Sequence, residues 1–365
     1  MTAGSAVVVG TGLIGTSVAL ALRERGTEVW LTDTDPGAAR LAAELGAGRV
    51  LPAAGPSGGP ADIAVLAVPP GAVARALADA QRRQLARCYT DVASVKDFPL
   101  REAGAAGCDL AVFVPGHPMS GRERSGPAAA RADLFAGQPW VICPAAESSE
   151  HCIAAVTALA RACGSQPMLM SPAEHDRWVA LVSHVPHLVA SAMAAQCADA
   201  PPGALALAGP GLRDVTRIAA GDAALWTEIL AANAAQAHEV ITGVIGQLRA
   251  AADALGALAA GDDDAVKQLT AVLETGRDGV ARIPGKQGGP APHYAIVQVV
   301  IADTPGELAR LFVAAGAAGI NVEDVRIEHS PGLPAGVAEL SVRQETAEAL
   351  AAALAAAGWP VASPA

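Results

Sequence analysis

The feature that most constrains this chain is a glycine turn set between two apolar runs near its start. Residues 6–9 form a short β-branched run. Gly10-Thr11-Gly12-Leu13-Ile14-Gly15 follows, then an apolar helical pattern to about Arg25 and a second run, Glu28–Thr32, that ends at Asp33. Strand, glycine turn, helix and strand in that order predict a βαβ unit. Gly10 permits the tight turn, Gly12 lets the backbone approach a pyrophosphate, and Gly15 lets the helix pack closely on the strand. The pyrophosphate would then sit on the helix N-terminus, where free N–H groups and the helix dipole favour an anion. Asp33 lies eighteen residues past Gly15, close to the spacing of about 20 expected of a ribose-binding acid. Its carboxylate suits a ribose diol and repels a 2′-phosphate. No arginine follows it, since Thr34 and Asp35 come next. NAD is therefore expected as cofactor rather than NADP. The candidate cofactor contacts are Gly10, Thr11, Gly12, Leu13, Ile14, Gly15 and Asp33, with Val68 and Pro69 after a later apolar strand.

The rest of the chain extends this start. Residues 63–68, 89–93, 111–114 and 140–143 read as further short strands alternating with helices, which predicts a doubly wound parallel sheet up to about residue 170. From Pro172 strand signals vanish and helical stretches run to about Gly279. Residues 282–290 have the glycine and proline content of a linker. Beyond them, 294–301 alternates like a strand, 306–315 reads as a helix, 322–328 and 335–342 as strands and 347–357 as a helix, with room for one more strand. The expected class is α/β, with a Rossmann-type nucleotide-binding domain at 1–170, an all-helical domain at 171–281, a linker at 282–292 and an α+β module at 293–365.

Composition narrows the partners. Apolar residues make up 52% and mean hydropathy is +0.34, which excludes a disordered chain. The net charge of -11 offers no basic footprint for nucleic acid. The six cysteines include no CxxC pair and suit a reducing cytoplasm. The N-terminus lacks a basic region ahead of an apolar run, so no signal peptide is expected. The most apolar long stretch, residues 178–197, contains His184, Pro186 and His187, so it reads as a buried helix rather than a membrane span. On composition Trp178 and Trp226 read as core side chains.

Polar chemistry concentrates in four segments of this alanine-rich chain: residues 91–96 (DVASVK), 116–123 (GHPMSGRE), 183–187 (SHVPH) and 213–218 (RDVTRI). The first two follow strands, where parallel sheets place ligands. His117 suits a general base, because its ordinary pKa lies near neutrality and hydride loss from a carbinol carbon requires a proton acceptor at the oxygen. Arg213 and Arg217 offer planar forks for a carboxylate, or else surface ion pairs with Asp214 or Glu228. His184 and His187 share a helix face, where one of them could serve as a satisfied core group. No ligand spacing supports a metal site.

Taken together, residues 10–17, 91–96, Gly116-His117-Pro118-Met119 with Gly121 and Glu123, 183–187 and 214–219 resemble the prephenate/arogenate dehydrogenase family of tyrosine biosynthesis. The turn around Asp303-Thr304-Pro305-Gly306-Glu307-Leu308 makes the C-terminal module look like an ACT domain, a type that binds amino-acid effectors. The resemblance implies an NAD-dependent oxidative decarboxylation of prephenate to 4-hydroxyphenylpyruvate, in a cytoplasmic homodimer joined through the helical domain and regulated by an amino acid. It implies that His117 takes the hydroxyl proton, that Ser94 orients His117 and the hydroxyl, and that Arg217 grips a substrate carboxylate. Ser183, His187, Arg213 and Trp226 would lie near the substrate, with Glu123 at the pocket mouth. Arg122 beside Glu123 departs from the family pattern.

Arogenate or an amino-substituted prephenate are the alternative substrates. A β-hydroxyacid dehydrogenase would need a lysine in the helical domain, and none occurs between Lys96 and Lys267. A non-catalytic sensor of NAD and amino acids is the remaining alternative, against which the Ser94, His117 and Arg217 set argues.

Overall fold

The computed structural model describes residues 4–120, 126–284, 294–329 and 335–362. It divides into two compact units, one ending at Ile245 and one beginning at Gly246.

The first unit opens with β1 (Ser5–Val9), α1 (Leu13–Glu24), β2 (Glu28–Thr32), α2 (Pro36–Glu44), β3 (Arg49–Val50), β4 (Ala61–Leu66), α3 (Val73–Arg82) and β5 (Ala86–Asp91). The five strands form one parallel sheet in the order β3-β2-β1-β4-β5. Both faces are covered, so the central strands β1 and β4 are apolar over most of their length. Ala6 and Val8 pack toward Val18, Leu22 and Val156, while Val7 packs on the opposite face toward Leu66, Val73 and Leu77. Strand order reverses between β1 and β4, and the crevice beyond their C-terminal ends is where such sheets bind ligands.

Next come α4 (Asp97–Ala105), β6 (Gly116–Pro118), β7 (Pro139–Ile142), α5 (Glu150–Ala162) and β8 (Gln166–Leu169). Here the parallel sheet expected up to residue 170 gives way to a separate three-stranded sheet. In it β6 runs antiparallel to β7, and β8 parallel to β7. Residues 111–114, expected as a strand, make only a single bridge at Phe113, through two backbone hydrogen bonds with Tyr89. Pro115 and Pro118 have no N–H to give a continuing ladder. Cys88 on β5 is disulfide-bonded to Cys152 on α5, a bond that the reading of a reducing compartment did not foresee.

The helical region holds α6 (Pro172–Val179), α7 (Val185–Ala195), α8 (Pro202–Leu205), α9 (Pro210–Thr216), α10 (Ala223–Ala232), α11 (Ala234–Ala259) and α12 (Ala265–Ala281). A π-helical turn, Ala180–His184, joins α6 to α7 without a break. Pro186 explains it: the missing N–H and the bulk of the ring loosen the backbone bond to residue 182. The combined helix, Pro172–Ala195, is long and apolar enough to cross a membrane. It nevertheless buries His175, Asp176, His184 and His187 in a polar cluster. The expectation of a buried helix holds on one side only, because Leu181 and Val182 are each 62% exposed and Trp178 is 47% exposed. Trp178 is not a core side chain of the single chain.

In the second unit, residues 294–362 form β9 (Tyr294–Ala302), α13 (Glu307–Ala317), β10 (Asp324–His329), β11 (Ala335–Arg343) and α14 (Ala347–Ala356). The antiparallel sheet has the order β10-β11-β9, and Val361 bridges to Val299 on the outer side of β9. This is a βαββαβ arrangement. Alternate residues Ala295, Val297, Val299 and Ile301 pack on Leu311, Leu350 and Leu354. Gly306 takes φ +91°, a left-handed conformation that favours glycine, at the start of α13.

Candidate active site

The glycine turn meets the demands of a dinucleotide. A Cβ on Gly10, whose φ is +96°, would stand 2.2 Å from the Ala67 carbonyl oxygen. One on Gly15 would stand 2.0 Å from the Gly10 oxygen. Around Gly12, by contrast, no atom lies within 4 Å of the added carbon. Two glycines are thus required by the fold, while the third leaves open backbone at the N-terminus of α1, where a pyrophosphate can approach. Asp33 closes the turn: its Oδ2 accepts from the Thr11 N–H at 2.6 Å and from the Thr11 hydroxyl at 2.9 Å, and its Oδ1 accepts from the Asp35 N–H at 2.9 Å. Burial pushes the Asp33 pKa up, but these donors outweigh it and hold the carboxyl below its ordinary value. Val68 and Pro69 follow β4 at the same end of the sheet.

His117 lies not in a loop, as the sequence suggested, but on the short strand β6. Its backbone is pinned on both sides of the preceding peptide. The Gly116 N–H donates to Asp91 Oδ1 at 3.1 Å, and the Gly116 carbonyl accepts from Lys96 Nζ at 2.6 Å. Lys96 is fully buried and pairs with Asp91 Oδ2. The imidazole Nδ1 of His117 lies 2.9 Å from Nε2 of His175, with the rings edge to face. Nδ1 of His175 lies 2.7 Å from Asp176 Oδ1. Asp176 in turn accepts from the backbone N–H of Lys96 at 2.8 Å and of Asp97 at 2.9 Å.

The cluster continues toward α7. The Asn233 side-chain amide donates to the Asp176 carbonyl at 2.8 Å and lies 3.1 Å from His184 Nδ1. His184 also lies against the Ser94 backbone, and the Ser94 hydroxyl is buried without a hydrogen-bond partner among the described residues. His187 stacks on Trp226, with centroids 3.7 Å apart and planes 11° from parallel. Gly221 makes that stack possible, since a Cβ there would come within 2.6 Å of Trp226 Nε1 and 2.9 Å of His187 Cε1. Arg217 begins the 3₁₀ turn Arg217–Ala220, which packs on α7.

The histidines are held neutral. Burial depresses the His117 pKa well below its ordinary value, and His175, Lys96 and His184 add to the depression. His175 is lowered chiefly by burial, although Asp176 works the other way. Burial takes His184 down to about 4, and His187 is lowered by the same cause. A neutral imidazole in a closed polar cluster can accept a proton at neutral pH.

The fold therefore brings together His117, the Ser94 segment, His187 and Trp226. Ser183 sits half-buried on the π-turn, while Arg217 and Arg213 are exposed on the single chain. Glu123 and Arg122 lie outside the described residues. His175, Asp176, Asn233 and the buried Asp91–Lys96 pair were not singled out as site residues from sequence. Asp91 and Lys96 stand at the ends of the 91–96 segment that sequence did highlight, so their signal was present. A cavity of about 500 Å³ lies next to Pro69, Arg75, Phe98 and Glu228, and none of the histidines lines it.

Comparison with known proteins follows the same outline. The family described as "Prephenate dehydrogenase, nucleotide-binding domain" matches residues 18–169, and "Prephenate dehydrogenase, dimerization domain" matches residues 171–274. The Streptomyces niveus protein named "Probable prephenate dehydrogenase NovF" is 40% identical over 365 residues, covering 98% of this chain and 99% of its own. The prephenate dehydrogenase of Bacillus subtilis is 28% identical over 241 residues, covering 65% of this chain and 63% of its own. Among solved structures, the Aquifex aeolicus prephenate dehydrogenase in complex with hydroxyphenyl propionate and NAD+ superposes with a TM-score of 0.66 at 23% identity, over 77% of this chain and 99% of its own. Synechocystis arogenate dehydrogenase gives a TM-score of 0.60 at 25% identity, over 76% of this chain and 99% of its own.

Proposed function

The chain belongs to the prephenate dehydrogenase family, and on that premise we propose that it oxidatively decarboxylates prephenate to 4-hydroxyphenylpyruvate with NAD. The observation that carries the proposal is His117: a neutral imidazole on pinned backbone, with one nitrogen tied to His175 and the other without a protein partner among the described residues.

The open backbone at Gly12, the turn from Gly10 to Gly15, Asp33, Val68 and Pro69 would hold NAD. When bound, NAD supplies the hydride acceptor. The chain's own residues supply the rest. His117 accepts the proton of the ring hydroxyl as the carbinol carbon gives up hydride and becomes a carbonyl. The bond from the opposite ring carbon to its carboxylate breaks and carbon dioxide leaves; the electron pair runs through the ring to that carbonyl oxygen, which takes the proton back from His117 as the ring becomes an aromatic phenol. Aromatisation supplies the driving force, so the protein's task is to orient the substrate, exclude water and take one proton. The unpartnered Ser94 hydroxyl is available to orient the substrate hydroxyl. Arg217 is assigned to a substrate carboxylate, with Ser183, His187, Trp226 and Arg213 along the ring and Glu123 at the mouth.

Two further assignments go with this reading. The exposed apolar face at Trp178, Leu181 and Val182 is the contact surface of a homodimer, in keeping with the dimerization-domain match. The βαββαβ module is an ACT-like domain that binds an amino acid, and the enzyme works in the cytoplasm. The domains follow the boundaries 1–170, 171–281, 282–292 and 293–365. Steady-state NADH formation with prephenate and with arogenate, each with NAD and NADP, tests the substrate and cofactor. Turnover is expected with prephenate and NAD; turnover of neither substrate would reject the reading. Adding tyrosine or phenylalanine to the same assay tests the module: a lowered rate is expected, and unchanged kinetics, with no heat of binding by calorimetry, would count against an effector site.

A further inference from the structure

We propose that His175 and Asp176 are positioning residues for this reaction. In that view Asp176, His175 and His117 form a relay that fixes His117 with its proton on Nδ1 and its lone pair on Nε2, facing the substrate. The inference rests on the proposed reaction for its purpose, but its geometry stands on its own.

Both oxygens of Asp176 accept backbone N–H groups, from Lys96 and from Asp97, so the group acts as an acceptor toward its neighbours. The nitrogen 2.7 Å from Oδ1 must then be a donor, which puts a proton on His175 Nδ1. A neutral His175 has only a lone pair left on Nε2. His117 Nδ1, 2.9 Å away, must therefore donate to it. With Nδ1 protonated and the ring neutral, the base function falls to Nε2 of His117. The opposite tautomer would set two lone pairs against each other across that 2.9 Å gap and would leave Nε2 carrying a proton, unable to accept another. The depressed pKa values of both rings, caused mainly by burial, agree with two neutral imidazoles. Among the described residues, the titratable groups that act on His117 are His175, Lys96 and His184, with Asp176 and Asp91 one partner further out, on His175 and Lys96.

The relay also joins two parts of the fold. Asp176 and His175 belong to α6, whereas the N–H groups that hold Asp176 begin α4. Correct seating of α6 on the nucleotide-binding region is thereby a condition for a correctly protonated base.

The test uses the full chain with 15N-labelled histidine. Ring-nitrogen NMR, with the His117 signals identified by their loss in His117→Asn, is expected to show His117 protonated on Nδ1 and bare on Nε2. In His175→Ala, turnover of prephenate is expected to fall roughly 10- to 10³-fold, with KM for prephenate and NAD little changed. The loss stays short of that caused by removing a hydrolase triad's aspartate, because water can enter and accept the Nδ1 proton. The acid limb of the kcat profile should move up toward pH 6.5, because His175, one cause of the depressed pKa, is gone and water has access. His175→Gln, whose Oε1 can accept from Nδ1, is expected to recover most of the rate. An Nε2-protonated His117 in the wild-type protein would overturn the proposal. So would a folded His175→Ala variant with unchanged turnover, tautomer and pH profile. A wild-type protein with the expected tautomer but no activity on prephenate would refute the substrate and leave the relay standing.

Discussion

Lys96 has no exposed surface, and among the described residues its ammonium has two partners, the Asp91 carboxylate and the Gly116 carbonyl. Breaking a buried pair by removing one partner leaves an uncompensated charge and costs about 3–5 kcal/mol. Lys96→Met is therefore expected to destabilise the protein by about that amount in urea unfolding, and Asp91→Asn added to it, which removes the stranded charge but keeps an acceptor for the Gly116 N–H, should recover part of the loss. A Lys96→Met protein as stable as wild type would show that the pair is not what holds β6. At this scale residue type made part of the site legible. Gly10 and Gly15 have backbone reasons to be glycine, Gly12 leaves room for a ligand, and His117 stood out as an ionisable group in a polar segment of an alanine-rich chain. His175 and Asp176 did not stand out, because in sequence they look like the solvated face of a helix. Only the fold brings Asp176 onto N–H groups 80 and 79 residues away.

Among the elements, the continuous α6–π–α7 helix does two things at once. One side gives His175, Asp176, His184 and His187 to the polar cluster, and another leaves Trp178, Leu181 and Val182 exposed. Sequence gave the helix its length and apolar character but not the open face, since hydropathy reports how apolar a side chain is and not what covers it. Nor could it place the π-turn, which Pro186 imposes through backbone geometry. If the open face is the homodimer contact, Leu181→Glu together with Val182→Glu should convert a dimer to monomers in sedimentation experiments. A wild-type protein that sediments as a monomer would reject the assignment. The misread strand at 111–114 has a related cause: its residues are good strand formers, but the prolines at 115 and 118 deny it a ladder.

For the whole molecule, the parallel sheet of the first unit brings the glycine turn to the C-terminal ends of its strands, and the small mixed sheet carries His117. The second unit holds a module whose elements fall close to the limits its alternating pattern suggested, because one face of its sheet is packed and the other open. The split of the expected single sheet into a parallel and a mixed one was not legible, because periodicity registers a strand but not its partner. The central claim is that His117 is the base acting on the ring hydroxyl. The most direct measurement is the rate of NADH formation from prephenate by the wild-type enzyme and by His117→Asn, with NAD affinity measured in parallel. The account predicts a fall in kcat of roughly 10²–10⁴ with nearly unchanged NAD binding. Near-normal turnover in His117→Asn would contradict it.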